Sequence, residues 1–119
     1  MPYKSLRITP AEAKLLVDGG KAVILDVVAP ELRAHMRRQI AGAVRIEPEE
    51  FSARYRELLP RDMQIIAYCT CDDEITSAGV AGDLRRHGYQ AFALQGGYAA
   101  WEAAGYPTET KKRAPVKTA

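Results

Sequence analysis

Short apolar runs alternate with stretches of amphipathic spacing along most of the chain. Thr9-Pro10-Ala11-Glu12 carries a helix start: a hydroxyl at the cap, proline at the first helical position and a glutamate placed to close a capping box. Leu15 and Leu16 give that helix a buried side, and Gly19-Gly20 stops it. Residues 22–27 read as a buried strand ending at Asp26, residues 29–36 as a short helix and residues 43–46 as a brief strand. Pro48 opens a helix through Leu59 with Phe51, Tyr55 and Leu58 on one face, and Pro60 ends it. Residues 64–68 read as a central strand covered on both faces, continuously apolar after Gln64. A loop from Cys69 to Ile75 follows, and then a helix capped by Thr76 or Ser77 that runs to about His87, with Val80, Ala81 and Leu84 towards the sheet. Residues 91–94 form the last strand, Gly96-Gly97 a turn, and residues 98–104 a final helix closed by Gly105. Strands alternating with helices predict a parallel sheet with helices on both faces, and in such sheets ligands sit beyond the carboxyl ends of the strands.

At 119 residues the chain is long enough for one modest core. Its 47% apolar and 27% charged residues are ordinary for a water-soluble domain. No apolar run approaches the roughly 18 residues that span a bilayer. Met1-Pro2-Tyr3-Lys4 lacks the apolar stretch of a signal peptide, so a cytoplasmic location without membrane insertion is expected. Lys111, Lys112, Arg113 and Lys117 more than account for the net charge of +2, leaving the body slightly acidic and without a nucleic-acid footprint. This divides the chain into a folded domain at 1–108 and a flexible basic tail at 109–119.

The candidate chemistry lies at Cys69 and Cys71, the two cysteines of the chain. Being one residue apart, they cannot staple distant segments. His35 and His87 show no ligand spacing, so neither a metal nor a cofactor is expected. A helix start offers unpaired N–H groups and partial positive charge, which lower a thiol's pKa from about 8.5 towards about 3.5–7.5. The order strand, cysteine, loop, helix suits a thiolate or persulfide. From this segment alone, a buried structural cysteine is equally compatible.

Five motifs in order shift that balance. Residues 22–27 (Ala-Val-Ile-Leu-Asp-Val), Ile40-Ala41-Gly42-Ala43, residues 65–69 (Ile-Ile-Ala-Tyr-Cys), residues 94–101 (Leu-Gln-Gly-Gly-Tyr-Ala-Ala-Trp) and Ala104-Gly105-Tyr106-Pro107 resemble the signatures of rhodanese-like domains. The resemblance runs from about Leu6 to Pro107 and implies an α/β, three-layer rhodanese-like fold. Its five-stranded parallel sheet would be flanked by helices, with residues 4–8 as the first strand. It also implies a sulfurtransferase in which a persulfide on Cys69 passes sulfur from a small donor, such as thiosulfate, to a thiol or cyanide acceptor. A protein acceptor is compatible with the same chemistry. Asp26 takes the place of the family's aspartate, expected as a structural acceptor beneath the loops. The Cys-x-Cys loop resembles one branch of the family.

The loop departs from the family pattern. Thr70, Cys71, Asp72, Asp73, Glu74, Ile75 and Thr76 contain no arginine and three acids, which disfavour anionic donors and raise a thiol's pKa if they face inward. Counting from the strand end selects Cys69 as carrier, whereas counting back from Ser77 at the usual loop length selects Cys71. Cys71 is therefore a resolving thiol, an alternative carrier, or a small residue tolerated in the loop. The arginine usual two residues after the aspartate is Val28 here, with Arg37 and Arg38 as nearby cations. Two other functions stay open: a thiol redox protein using Cys69 and Cys71, and a non-catalytic binding module. A Cys-x5-Arg phosphatase loop is disfavoured, because Ile75 stands where its phosphate-clamping arginine would be.

Overall fold

Nine residues from Pro10 to Asp18 form helix α1, and its start shows how locally this chain is encoded. The Thr9 hydroxyl accepts from the Glu12 N–H at 3.2 Å, and the Glu12 carboxylate accepts from the Thr9 N–H at 3.1 Å. Both orphan donors of the first turn are thus satisfied reciprocally. The computed structural model describes residues 6–70 and 75–111, with Ile75 through its backbone alone. Cys71, Asp72, Asp73, Glu74, the start of the expected first strand at Lys4, and the tail residues Lys112, Arg113 and Lys117 lie outside the described residues.

The strands are β1 (Arg7–Ile8), β2 (Ala22–Asp26), β3 (Arg38–Ile40), β4 (Val44–Arg45), β5 (Gln64–Tyr68), β6 (Ala91–Leu94) and β7 (Thr108–Thr110). The remaining helices are α2 (Pro30–Arg33), α3 (Phe51–Leu58), α4 (Ile75–Arg86) and α5 (Gly97–Ala103). Five strands form one parallel sheet in the order β1-β6-β5-β2-β4. β5 lies at its centre, with Ile65, Ile66, Ala67 and Tyr68 fully buried.

Side-chain alternation along β2 and β5 makes two cores. Leu25, Val27, Ile65 and Ala67 pack with Phe51 and Tyr55 of α3 and Val80, Ala81 and Leu84 of α4. Ile24, Ile66 and Tyr68 pack on the other side with Ala13 of α1 and Trp101 of α5. The fold is therefore α/β in three layers, as expected, with Cys69 just beyond the carboxyl end of the central strand.

Two features depart from the sequence reading. The helix expected from Pro48 begins as a 3-10 turn, Pro48–Glu50, before α3. More consequentially, β3 and β7 form an antiparallel pair that was not anticipated, with Arg38, Gln39 and Ile40 opposite Thr110, Glu109 and Thr108. The folded unit accordingly continues through Lys111, past the boundary expected at 108. The Lys111 N–H bonds to the Arg37 carbonyl at 2.9 Å, and its ammonium to the Arg33 carbonyl at 3.0 Å. Thr-Glu-Thr is a polar strand held by hydrogen bonds, so it carries no apolar pattern to reveal it.

Trp101 fixes the approach to that strand. It is 2% exposed, and its indole N–H donates to the Pro107 carbonyl at 2.8 Å. Trp101→Phe keeps an aromatic ring but removes one of the two hydrogen bonds to that carbonyl, which also accepts the Ala41 N–H at 3.1 Å, at an expected cost of about 1 kcal/mol. A thermal melt should show a midpoint lower by several degrees.

Candidate functional site

Cys69 follows the last residue of β5 and is 2% exposed. Its carbonyl accepts the Tyr98 N–H at 3.2 Å, tying the strand end to the first turn of α5. Gly97 makes this contact possible: a Cβ there would overlap the Cys69 carbonyl oxygen and lie 3.3 Å from its carbon. On the thiol side, Sγ lies 3.5 Å from the hydroxyl of Ser77, a fully buried residue of α4.

The helix after the loop begins at Ile75, slightly earlier than expected, so Thr76 and Ser77 sit within its first turn. Ser77 turns its hydroxyl to the cysteine, a contact that its reading as a helix cap did not anticipate. Its place eight residues beyond Cys69 was the available signal. Thr70 and Thr76 are both half-buried at the two ends of the loop.

Asp26 ends β2 beside Tyr68 in register and is 1% exposed. One carboxylate oxygen accepts from the Val28 N–H at 2.9 Å and from Arg45 at 3.0 Å, and the other accepts from Arg33 Nε at 3.0 Å. Arg45 also donates to the Val28 carbonyl at 2.5 Å and makes two bonds to Glu47 at 2.8 and 3.1 Å. Arg33 continues to the Gln39 amide oxygen at 3.1 Å, and the Gln39 amide nitrogen donates to Glu109 of β7 at 2.7 Å. Removing one member of such a buried pair typically costs about 3–5 kcal/mol, because the remaining charge is stranded.

Neither arginine was singled out from the sequence. Arg33 lies in the short helix expected over residues 29–36 and Arg45 in a two-residue strand, and the fold turns both inward. Arg38 instead spans the β3–β7 pair, bonding the Thr108 hydroxyl and carbonyl at 2.8 Å each. Burial and then the Asp26 charge push the Tyr68 phenol far above its ordinary pKa, so it stays protonated while its oxygen accepts the Ile40 N–H at 3.3 Å.

Among the described residues no group of three or more His, Cys, Asp or Glu side chains is arranged to hold a metal ion. No described helix is long and apolar enough to cross a membrane.

Known proteins resemble this chain in sequence and fold. The thiosulfate sulfurtransferase GlpE of Actinobacillus succinogenes is 30% identical over 104 residues, 87% of this chain and 89% of that protein. A tRNA sulfurtransferase of Desulfurococcus amylolyticus is 32% identical over 84 residues, 71% of this chain but 16% of the much longer relative. The crystal structure of a rhodanese-related protein from Thermoplasma volcanium superposes with a TM-score of 0.73 at 24% identity, covering 92% of this chain and all of that one, a likeness of fold. Residues 9–104 match the rhodanese-like domain, from the Thr9 cap to the last helix. With the parallel sheet, the cysteine beyond its central strand and relatives named for sulfur transfer, the chain belongs to the rhodanese-like domain family.

Proposed function

We propose that this protein is a sulfurtransferase in which Cys69 carries sulfur as a persulfide between a small sulfane donor and a thiophilic acceptor. One observation carries the reading: the Cys69 thiol sits at the carboxyl end of the central strand, facing the Ser77 hydroxyl in the first turn of α4. The thiol donates to the Ser77 hydroxyl, and on ionisation of the thiol that hydroxyl can turn to donate to the sulfur; with the helix start, this favours an anionic sulfur.

With thiosulfate as donor, the Cys69 thiolate attacks the outer sulfur. The new S–S bond forms as the old one breaks, and sulfite leaves with the bonding electron pair. A cyanide or thiolate acceptor then attacks the outer sulfur of the persulfide. Cyanide yields thiocyanate and a thiolate yields a new persulfide, and either regenerates the Cys69 thiolate. No net oxidant is required. The Tyr98 N–H and the close approach of Gly97 hold the Cys69 backbone through both steps.

The name of the Actinobacillus relative supports thiosulfate as the donor class. The acids Asp72, Asp73 and Glu74 argue for slow use of dianionic donors, and so for testing 3-mercaptopyruvate alongside thiosulfate. The tRNA-directed activity in the name of the archaeal relative belongs to a protein of which this chain matches a small part.

The test is to treat the reduced protein with each donor, then read intact mass and map peptides. A gain of one sulfur on Cys69 is expected. A gain on Cys71 would move the carrier by two residues, and no gain with two unmodified thiols would favour redox or binding roles. Ser77→Ala removes the hydroxyl that faces Sγ. Loss of a hydrogen bond to a charged partner is worth about 1.5–3 kcal/mol. The expected result is roughly a tenfold or greater fall in the rate of persulfide formation, with the thiol titrating at higher pH. An unchanged rate and titration would remove Ser77 from the site.

A further inference from the structure

Leu15, expected on the buried side of α1, stands 74% exposed instead, while its neighbour Leu16 packs against the core. It rims a groove of about 570 Å³ on the α1 side of the sheet, at the outer strand β1. The sheet wall of the groove comes from Arg7 and Ile8 of β1, Phe92 of β6 and Gln64 of β5. The helix wall comes from Glu12, Leu15 and Leu16 of α1. A single exposed leucine is ordinary on a protein surface. One that adjoins an open groove walled by Ile8, Leu16 and Phe92 forms a continuous apolar patch, the kind that marks an interaction site.

We infer that this face joins two copies of the chain across a twofold axis, with α1 of each copy laid against the groove of the other and Leu15 inserted. A twofold contact needs one patch that is complementary to itself. This patch holds both halves of the fit, a projecting side chain and a hollow that receives it. Its charges match in the same sense. Glu12 lies three residues before Leu15 on the same helical face, so a leucine that enters the other copy's groove brings a carboxylate with it. The cation, Arg7, stands on the sheet wall that receives them. Oε1 of Glu12 takes both the N–H and the hydroxyl of Thr9, at 3.1 and 2.9 Å, and among the described residues Glu12 has no cationic partner within its own chain. A patch with one charge of each sign does not repel its own copy, and every pairing across a twofold axis forms twice.

The contact is small. Nine residues of α1 make about 13 Å of helix, which sets the buried area at the lower end for specific pairs. The dimer is therefore expected to dissociate at about 1–100 μM. The groove reaches Gln64 at the start of β5, whereas Cys69 follows the end of that strand. At about 3.3 Å per residue the two lie roughly 16 Å apart, so pairing through α1 leaves both thiols outside the contact. Monomer and dimer should load sulfur alike, and the inference stands apart from the reading of Cys69 as carrier.

The experiment is sedimentation equilibrium of the reduced full chain from about 1 to 500 μM, a range that brackets the expected dissociation constant. The parent should pass from monomer to dimer. Leu15→Glu sets two carboxylates in the apolar contact and should weaken association more than about a hundredfold, leaving monomer throughout. Glu12→Gln keeps the capping box, in which glutamine also serves. It should weaken the dimer about threefold to tenfold and make it less sensitive to salt. Both substitutions change exposed side chains, so melting midpoints should stay within a few degrees of the parent. If Leu15→Glu melts early, Leu15→Ala takes its place and should weaken the dimer at least about tenfold. A parent that stays monomeric to the highest concentration overturns the inference and leaves the groove to a different partner. A dimer that neither substitution of Leu15 weakens forms through another face, and overturns it equally.

Discussion

Cys69→Ser is expected to lower thiocyanate formation from thiosulfate and cyanide by more than about a thousandfold, the scale of losing a covalent nucleophile. A serine hydroxyl is almost entirely protonated at neutral pH and is a poor nucleophile towards sulfane sulfur. It cannot form the persulfide that splits the transfer into two displacements. The fold should tolerate the change. Serine is close in size to cysteine, and an oxygen at that position remains near the Ser77 hydroxyl, which now lies 3.5 Å from Sγ. The loss should therefore appear with an unaltered far-ultraviolet circular dichroism spectrum and a melting midpoint within a few degrees of the parent. Cys71→Ser gives the comparison: activity kept there and lost in Cys69→Ser assigns the carrier, and the reverse pattern sinks the assignment to Cys69.

That assignment shows which kinds of structure a sequence displays. The capping box at Thr9 and Glu12 was legible because its chemistry is confined to four consecutive residues. The central strand at 64–68 and the last parallel strand at 91–94 coincide with β5 and β6, because strands buried on both faces must be uniformly apolar. The position of Cys69 after β5 followed from the same run. What stayed hidden depends on contacts between distant residues. Thr108–Thr110 and Arg38–Ile40 pair across some 70 positions through hydrogen bonds among polar groups, and no local periodicity marks them. Arg33 and Arg45 look like solvent-facing residues in the sequence; a buried carboxylate draws them in, and burial is a property of the finished fold. Ser77 was read as a cap because hydroxyl residues favour helix starts. Its contact with the thiol required the helix to begin at Ile75.

Gly97→Ala is expected to be the most damaging single methyl added to this domain. Gly97 has φ of +60°, a left-handed conformation that costs an alanine about 1 kcal/mol. The larger penalty is steric. The new Cβ would overlap the backbone oxygen of Cys69, which has no rotamer by which to withdraw. Relief requires moving either the first turn of α5 or the end of β5, and either breaks the Tyr98 N–H bond to Cys69. A destabilisation of about 2–4 kcal/mol follows, or a drop in melting midpoint of more than about 8 °C. Surviving folded protein should also load sulfur poorly, because the cysteine backbone is displaced from Ser77. Gly105→Ala isolates the conformational part, since its φ is +78° but no atom lies within 4 Å of the added methyl. It should lose about 1 kcal/mol and keep its sulfur-loading rate. If the two substitutions cost the same, the approach of Gly97 to Cys69 does not govern this site, and the backbone clamp on the cysteine fails with it.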